Sequence, residues 1–142
     1  MATNNSPEES TPAEIPTYGN GPSGTGVPAW DTARRPGGRI RTHHLQQAKS
    51  NGEHFAMLTA YEQYTAEIFD QAGIEVLLVG DSASNNVFGN ETSLPVTVDE
   101  LIPLCRAVAR SAKRALVVAD LPFGSYEVSP QQAVATGARF LK

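Results

Sequence analysis

Residues 75–82 read Glu-Val-Leu-Leu-Val-Gly-Asp-Ser, and this stretch decides the fold. Four consecutive apolar residues are followed by a glycine and two polar residues. An uninterrupted apolar run of this length is typical of a strand that is buried on both faces of a parallel sheet. We therefore predict a central strand over residues 76–79, with Asp81 and Ser82 just beyond its carboxyl end.

Strand and helix patterns alternate before this strand. Residues 55–59 form a short apolar run, which predicts a first strand. Residues 61–71 carry apolar side chains at helical spacing, and Gly73 lies where a helix-ending glycine is expected. A leading helix over residues 42–51, capped by Thr42, precedes both elements.

The same alternation continues after the central strand. We expect a long polar loop over residues 81–95. The Thr-x-x-Glu motif at residues 97–100 is a capping box, which predicts the start of a helix. Residues 115–119 predict a third buried strand, which ends at Asp120, and the Ser-Pro pair at residues 129–130 begins a last helix.

This order of elements defines an α/β protein. A leading helix is followed by three strand–helix pairs, and such alternation implies a parallel sheet with right-handed crossovers. Three strands suit either the edge of an open doubly wound sheet or three-eighths of a closed barrel, and the pattern leaves both open. The last helix has no following strand to pack against, which suggests a truncated polypeptide.

Composition divides the chain in two. Residues 1–38 hold six of the 12 glycines and six of the 10 prolines, without a periodic apolar pattern. Glycine and proline at this density favour turns and solvated backbone over a packed core. We predict that residues 1–38 are a disordered extension and that residues 39–142 form the folded domain.

Charge and cysteine content exclude several classes of protein. The net charge is −4, which argues against nucleic acid or an anionic membrane as a partner. The single cysteine excludes an internal disulfide framework. No apolar run approaches the ~20 residues of a membrane span, and the N-terminus lacks a signal-peptide pattern. We expect a cytoplasmic protein.

Two predicted strands each place a carboxylate at the same edge of the sheet. Asp81 and Asp120 follow neighbouring parallel strands, so about one strand spacing, ~5 Å, should separate their backbones. Two carboxylates at that distance repel unless one is protonated or a cation lies between them. A hard ion such as Mg²⁺ suits such oxygen ligands. Ser82 would offer a hydroxyl and a backbone N–H to an anionic ligand.

Simpler interpretations compete with this site. An aspartate after a strand often only fixes a turn, and we favour a site because two of them share one edge. Tyr61 either packs in the core or turns its phenol to the site, and we favour packing. Cys105 falls on the apolar stripe of its helix and is expected in the core. The three histidines are expected away from this edge.

Four short motifs together resemble the ketopantoate hydroxymethyltransferase family. They are Leu58-Thr-Ala-Tyr61, Leu78-Val-Gly-Asp-Ser82, Thr92-Ser-Leu-Pro-Val-Thr97 and Ala119-Asp-Leu-Pro-Phe-Gly-Ser-Tyr126. The resemblance runs from about Arg39 to Lys142, and its specificity lies in the order and spacing of the motifs. It implies a (β/α)₈ barrel, of which this chain covers about the first three βα units.

The resemblance also implies a reaction. The family transfers a hydroxymethyl group from 5,10-methylenetetrahydrofolate to 3-methyl-2-oxobutanoate through a Mg²⁺-stabilised enolate, giving 2-dehydropantoate for pantothenate and coenzyme A synthesis. By position, Asp81 and Asp120 would bind Mg²⁺, and Asp81, Ser82 and Asp120 would bind the 2-oxo acid. The catalytic base, a later glutamate, would lie outside residues 1–142. A homo-oligomer, decameric in bacterial members, is implied.

Two other functions stay open at this point. The chain is either that enzyme's N-terminal portion, an inactive truncated fragment of it, or a metal-binding α/β module with its own ligand. An inactive fragment with exposed strand edges should aggregate. A metal-binding module should bind Mg²⁺ without selectivity for branched 2-oxo acids.

Overall fold

One parallel three-stranded sheet organises the fold. The computed structural model describes residues 38–142, so the prediction made for residues 1–38 lies almost wholly outside the described residues. Within them the strands are β1 (Met57–Thr59), β2 (Val76–Val79) and β3 (Leu116–Ala119), in the order β1-β2-β3. The helices are α1 (Thr42–Ser50), α2 (Gln63–Gln71), α3 (Ala83–Asn86), α4 (Val98–Ser111) and α5 (Pro130–Leu141). The alternation predicted from the sequence is confirmed.

The register brings the carboxyl ends of all three strands to one edge. Val76 is opposite Met57 on one side and Leu116 on the other, and Val79 is opposite Ala119. Because every pair is parallel, the residues that follow the strands share an edge of the sheet. This geometry places the segments after β2 and β3 side by side.

The three strands differ in burial, which corrects one prediction. Leu77 and Val79 of β2 are fully buried, as predicted for the central strand. The residues of β3 are only partly buried, so the prediction of a third fully buried strand is wrong. All three residues of β1 are exposed. The reason is position in the sheet, since among the strands of residues 38–142 only β2 has a neighbouring strand on both sides.

The core lies between the sheet and the two longer crossover helices. Leu101, Cys105 and Val108 form the buried stripe of α4, at the helical spacing that the sequence predicts. Ala66 of α2 and Val79 of β2 belong to the same buried cluster as Cys105 and Val108. Ala66 is the buried residue of α2, so this helix meets the core through a small side chain.

Side-chain caps set the helix starts. The backbone N–H of Glu100 donates to Oγ1 of Thr97, and the Thr97 N–H donates to Oε2 of Glu100, so the predicted capping box is confirmed. Ser129 caps α5 through the N–H of Gln132, also as predicted. Gly73 has a φ of +93°, a left-handed conformation that ends α2.

Other element boundaries differ from the prediction. The N-cap of α1 is Arg41, not Thr42, and the Arg41 N–H donates to Nδ1 of His44. The loop expected over residues 81–95 contains the short helix α3. Apolar runs fix which face of an element is buried, but they do not fix its ends, because local hydrogen bonds decide those.

A carboxylate with no recognisable sequence signal holds the start of β3. Asp70, on the last turn of α2, accepts hydrogen bonds from the backbone N–H groups of Lys113, Arg114 and Ala115 at 2.9, 3.1 and 2.6 Å. A negative charge near a helix C-terminus is unfavourable by itself, and these three donors offset that cost. Asp70 thereby fixes where β3 enters the sheet.

Large apolar side chains remain exposed on the outer elements. Met57 of β1 is 49% exposed, and Val134 and Leu141 of α5 are 73% and 90% exposed. Both edge strands of the sheet also have one side without a strand partner among residues 38–142. In the same part of the chain, every helix is too short or too polar to cross a membrane.

Candidate active site

The residues that carry the two predicted carboxylates lie side by side at the carboxyl edge of the sheet. The Asp120 N–H donates to the carbonyl of Val79 over 3.0 Å, which continues the β2–β3 ladder by one residue. The Asp81 N–H then donates to Oδ2 of Asp120 over 3.3 Å. Both aspartates are partly buried. The structure therefore brings together the residues that the sequence placed on neighbouring strand ends.

Gly80 makes room for two of the oxygen atoms at this edge. A Cβ atom on Gly80 would lie 2.8 Å from Oγ of Ser82 and 3.2 Å from Oδ2 of Asp120. A contact of 2.8 Å between nonbonded carbon and oxygen is repulsive, so a side chain here would displace the hydroxyl. Gly80 thus lets these two oxygens keep their positions, a role that sequence reasoning missed.

Ser82 is connected to the end of β1 through Tyr61. The Tyr61 hydroxyl lies 2.8 Å from Oγ of Ser82, and Nδ2 of Asn86 donates to the Tyr61 oxygen over 3.1 Å. We call Asn86, Tyr61 and Ser82 the hydroxyl–amide chain. It joins the loop after β1 to the segment that begins α3.

Tyr61 does both of the things between which the sequence left a choice, and the favoured packing is confirmed. Its ring does pack against both buried clusters, but its hydroxyl reaches the site. Asn86 was missed altogether, because the sequence predicts a loop where α3 forms. The signal that was present is the position of Tyr61, directly after a predicted strand at the edge that carries Asp81.

The donor set suits a hard divalent cation. Two carboxylates and a hydroxyl offer only oxygen atoms, the ligands that Mg²⁺ prefers, and Mg²⁺ commonly keeps several waters beside one or two carboxylates. Within residues 38–142, no group of three or more His, Cys, Asp or Glu side chains is arranged to hold a metal ion. Asp81 and Asp120 therefore fit Mg²⁺ only as a site completed by water or ligand oxygens. The metal remains a prediction.

Cys105 lies beneath this edge but does not belong to it. Burial raises the pKa of its thiol to about 11, and the negative charge of Asp120 contributes in the same direction. The side chain is 8% exposed, so its position in the core is as predicted. A protonated, buried thiol is neither a nucleophile nor a metal ligand at neutral pH.

The histidines occupy the opposite part of the described structure. His54 precedes β1, at the amino edge of the sheet, and is exposed. His43 and His44 lie on α1. The segment just before α1 lies beside the segment just before β3, because the Ile40 N–H donates to the Arg114 carbonyl. All three are thus placed away from the carboxyl edge, as predicted.

Parallel strands linked by helices, with oxygen-bearing side chains at the carboxyl edge, form an α/β arrangement of the kind found in barrels and in open sheets. A crystal structure of phosphonopyruvate hydrolase in complex with oxalate and Mg²⁺ shares the fold, with a TM-score of 0.50 and 22% sequence identity. The match covers 67% of this chain and 35% of the hydrolase chain. This likeness concerns the fold alone.

The chain belongs to the ketopantoate hydroxymethyltransferase family, whose family model matches residues 39–142. It is 80% identical to the 3-methyl-2-oxobutanoate hydroxymethyltransferase of Arthrobacter sp. (strain FB24), and 78% identical to that of Paenarthrobacter aurescens (strain TC1). Each match covers 100% of this chain and 48% of the relative. The chain therefore spans about half the length of these relatives.

Proposed function

We propose that this chain supplies the first three βα units of a hydroxymethyltransferase that acts on 3-methyl-2-oxobutanoate. The one-carbon donor would be 5,10-methylenetetrahydrofolate and the product 2-dehydropantoate, an intermediate of pantothenate synthesis. One observation of this chain carries the proposal, namely that Asp81, Ser82 and Asp120 converge at the carboxyl edge. Family membership supplies the reaction.

Charge explains why such a site would need a cation. The 2-oxo acid carries a carboxylate, and its approach to Asp81 and Asp120 would bring three negative charges together. Unit charges 4 Å apart interact by about 4 kcal/mol at an effective dielectric of about 20. Asp81 and Asp120 would therefore hold Mg²⁺ against the substrate. When bound, the ion would act as a Lewis acid that draws electron density from the 2-oxo group.

The chain's own residues would bind and orient the substrate. Ser82 lies beside Asp81 and presents a hydroxyl at the edge, which would donate to the substrate carboxylate. Gly80 leaves the space in which that hydroxyl sits. We assign the base that removes the C3 proton, and the folate contacts, to the half of the relatives that this chain does not span.

Proton exchange at C3 of 3-methyl-2-oxobutanoate in D₂O, followed by NMR, tests the assignment. The measurement compares the 142-residue chain with the same chain completed by the second half of the Arthrobacter sp. relative, with and without Mg²⁺. Exchange by the completed chain alone is expected, and it should be lost in Asp81→Asn. Glu67→Gln, a neutralised exposed carboxylate on α2, is the matched control and should retain exchange.

Three other outcomes would contradict this expectation. Exchange by the 142-residue chain would mean that it contains a base which we did not identify. Exchange by neither protein would overturn the assignment. Mg²⁺ binding that is unaffected by 2-oxo acids would favour a metal-binding α/β module instead.

A non-catalytic fragment is the second candidate, and the exposed sheet edges favour it. Leu58 and Met57 of β1 are 38% and 49% exposed, and unpaired strand edges promote association. Size-exclusion chromatography and urea unfolding of the 142-residue chain distinguish the candidates, since aggregation without cooperative unfolding supports the fragment. A homo-oligomeric assembly, decameric for the whole enzyme, and a cytoplasmic location belong to the main proposal.

A further inference from the structure

The Asn86 amide favours one direction of hydrogen bonding along the hydroxyl–amide chain. An amide nitrogen has hydrogens to donate and no lone pair to accept with, so Asn86 donates to the Tyr61 oxygen. With that oxygen already accepting, the Tyr61 proton is free to be donated to the oxygen 2.8 Å away, Oγ of Ser82. Either hydroxyl can donate across this distance, and donation by Tyr61 is the arrangement in which the Tyr61 proton is used within the hydroxyl–amide chain.

This direction determines what Ser82 does. A hydroxyl has one proton, and when its oxygen accepts from Tyr61 that proton cannot point back at Tyr61. The other side of Oγ faces the carboxyl edge, since the same point above Gly80 lies 2.8 Å from this oxygen and 3.2 Å from Oδ2 of Asp120. The Ser82 hydroxyl is then oriented to donate its proton towards the site. An anionic carboxylate only accepts hydrogen bonds, so it requires a donor there.

We propose that Tyr61, held by Asn86, is a positioning residue that commits the Ser82 hydroxyl to donating to the carboxylate of the 2-oxo acid. The inference rests on the proposed function and deepens it, because it assigns the recognition of an anionic substrate to two residues outside the carboxylate pair. A neutral analogue, such as the amide of the same 2-oxo acid, should gain less binding free energy from the Ser82 hydrogen bond than the charged acid does.

Reversing the direction of the hydrogen bonds in the hydroxyl–amide chain tests the inference. Asn86→Asp keeps the shape of the side chain but replaces the donor with an acceptor, so Tyr61 donates to Asp and accepts from Ser82. The hydroxyl of Ser82 then no longer points at the substrate. The KM for the 2-oxo acid should rise roughly tenfold or more, in line with the loss of a hydrogen bond to a charged group, while kcat changes little.

Asn85→Asp is the matched control. It adds the same negative charge one residue away, but the Asn85 side chain donates to the carbonyl of Asn90 and not to Tyr61. Both variants are measured in the completed chain with Mg²⁺, together with Tyr61→Phe, which removes the hydroxyl. Tyr61→Phe frees Ser82 to rotate and should raise KM less than Asn86→Asp does.

The preference for acid over amide is the readout that a merely structural role would not change. That preference should fall in Asn86→Asp and Tyr61→Phe and persist in Asn85→Asp. Equal effects of the two Asp variants, or an unchanged preference in all three, would overturn the inference. A parent protein that neither exchanges the C3 proton nor binds the acid would instead show that the proposed function fails.

Discussion

The backbone N–H of Asp81 donates to Oδ2 of Asp120 over 3.3 Å, and this bond joins the residues that follow two neighbouring strands. It orients the Asp120 carboxylate towards the segment that carries Asp81 and Ser82. Burial of the strands beneath keeps this edge in place, since Val79, directly before it, is fully buried. The site is thus positioned by the sheet and not by flexible loops alone.

Gly80→Ala should impair binding far more than folding. The added Cβ would press on Oγ of Ser82 and Oδ2 of Asp120, and both are side-chain ends that can rotate away. Gly80 has no left-handed φ, so its backbone accepts alanine. We expect at least a tenfold loss in kcat/KM for the completed chain, about 1.4 kcal/mol or more, with a loss of unfolding free energy below that.

Gly137→Ala is the control for that substitution. A Cβ at Gly137, in α5, meets nothing within 4 Å. Alanine is favoured over glycine in a helix interior by roughly 0.5–1 kcal/mol, so this variant should be slightly stabilised with unchanged kinetics. Similar kinetic effects of both variants would contradict the role assigned to Gly80.

Asp120→Asn should weaken Mg²⁺ binding while preserving the fold. The asparagine side-chain oxygen can still accept from the Asp81 N–H, so the link between the strands survives, but the negative charge is lost. A Mg²⁺ titration of exchange activity in the completed chain should give a half-saturating concentration at least tenfold higher. Asp99→Asn, at an exposed carboxylate that pairs with Arg139, should leave this concentration unchanged.

Thr97→Ala should destabilise the fold by about 1 kcal/mol, a typical cost for losing an N-cap. Thr42→Ala, which removes the residue wrongly predicted to cap α1, should have almost no effect because Arg41 is the cap. Urea unfolding of both variants measures the difference. An equal loss of unfolding free energy in the two variants would mean that the missing N-cap of α4 does not cause the destabilisation of Thr97→Ala.

The capping box also has a pH dependence. Hydrogen bonds from Thr97 lower the pKa of Glu100 below its usual value of 4.5. A group with a lowered folded-state pKa stabilises the fold above its unfolded pKa, and this contribution is lost as pH falls through the folded value. Glu100→Gln should therefore reduce the loss of unfolding free energy that the parent shows below about pH 4.5.

Cys105 should make the fold sensitive to alkaline pH. Burial raises the pKa of the thiol from 9.0 to about 11 in the folded chain. The unfolded chain then loses its proton first, so the stabilising contribution is complete below pH 9 and is lost as pH rises through 11. Urea unfolding from pH 8 to 11 should show this decline, and Cys105→Ala should remove that part of it.

Much of the architecture follows from local sequence patterns. The apolar run over residues 76–79 predicts the central strand, because a short strand without polar residues cannot have a solvated face. The capping box of α4 and the Ser129 cap of α5 can also be predicted from the sequence, because each involves residues three positions apart. The order of strands and helices then places Asp81 and Asp120 at one edge.

Only the tertiary structure decided the contacts between distant segments. Tyr61 meets Ser82 across 21 positions of sequence, and Asp70 holds the start of β3 across more than 40. The burial of β3 and the role of Gly80 likewise depend on which elements lie beside them. Sequence periodicity predicts which face of a single helix or strand is buried. The contacts between distant segments depend instead on how the parallel strands lie side by side, and no local pattern encodes that arrangement.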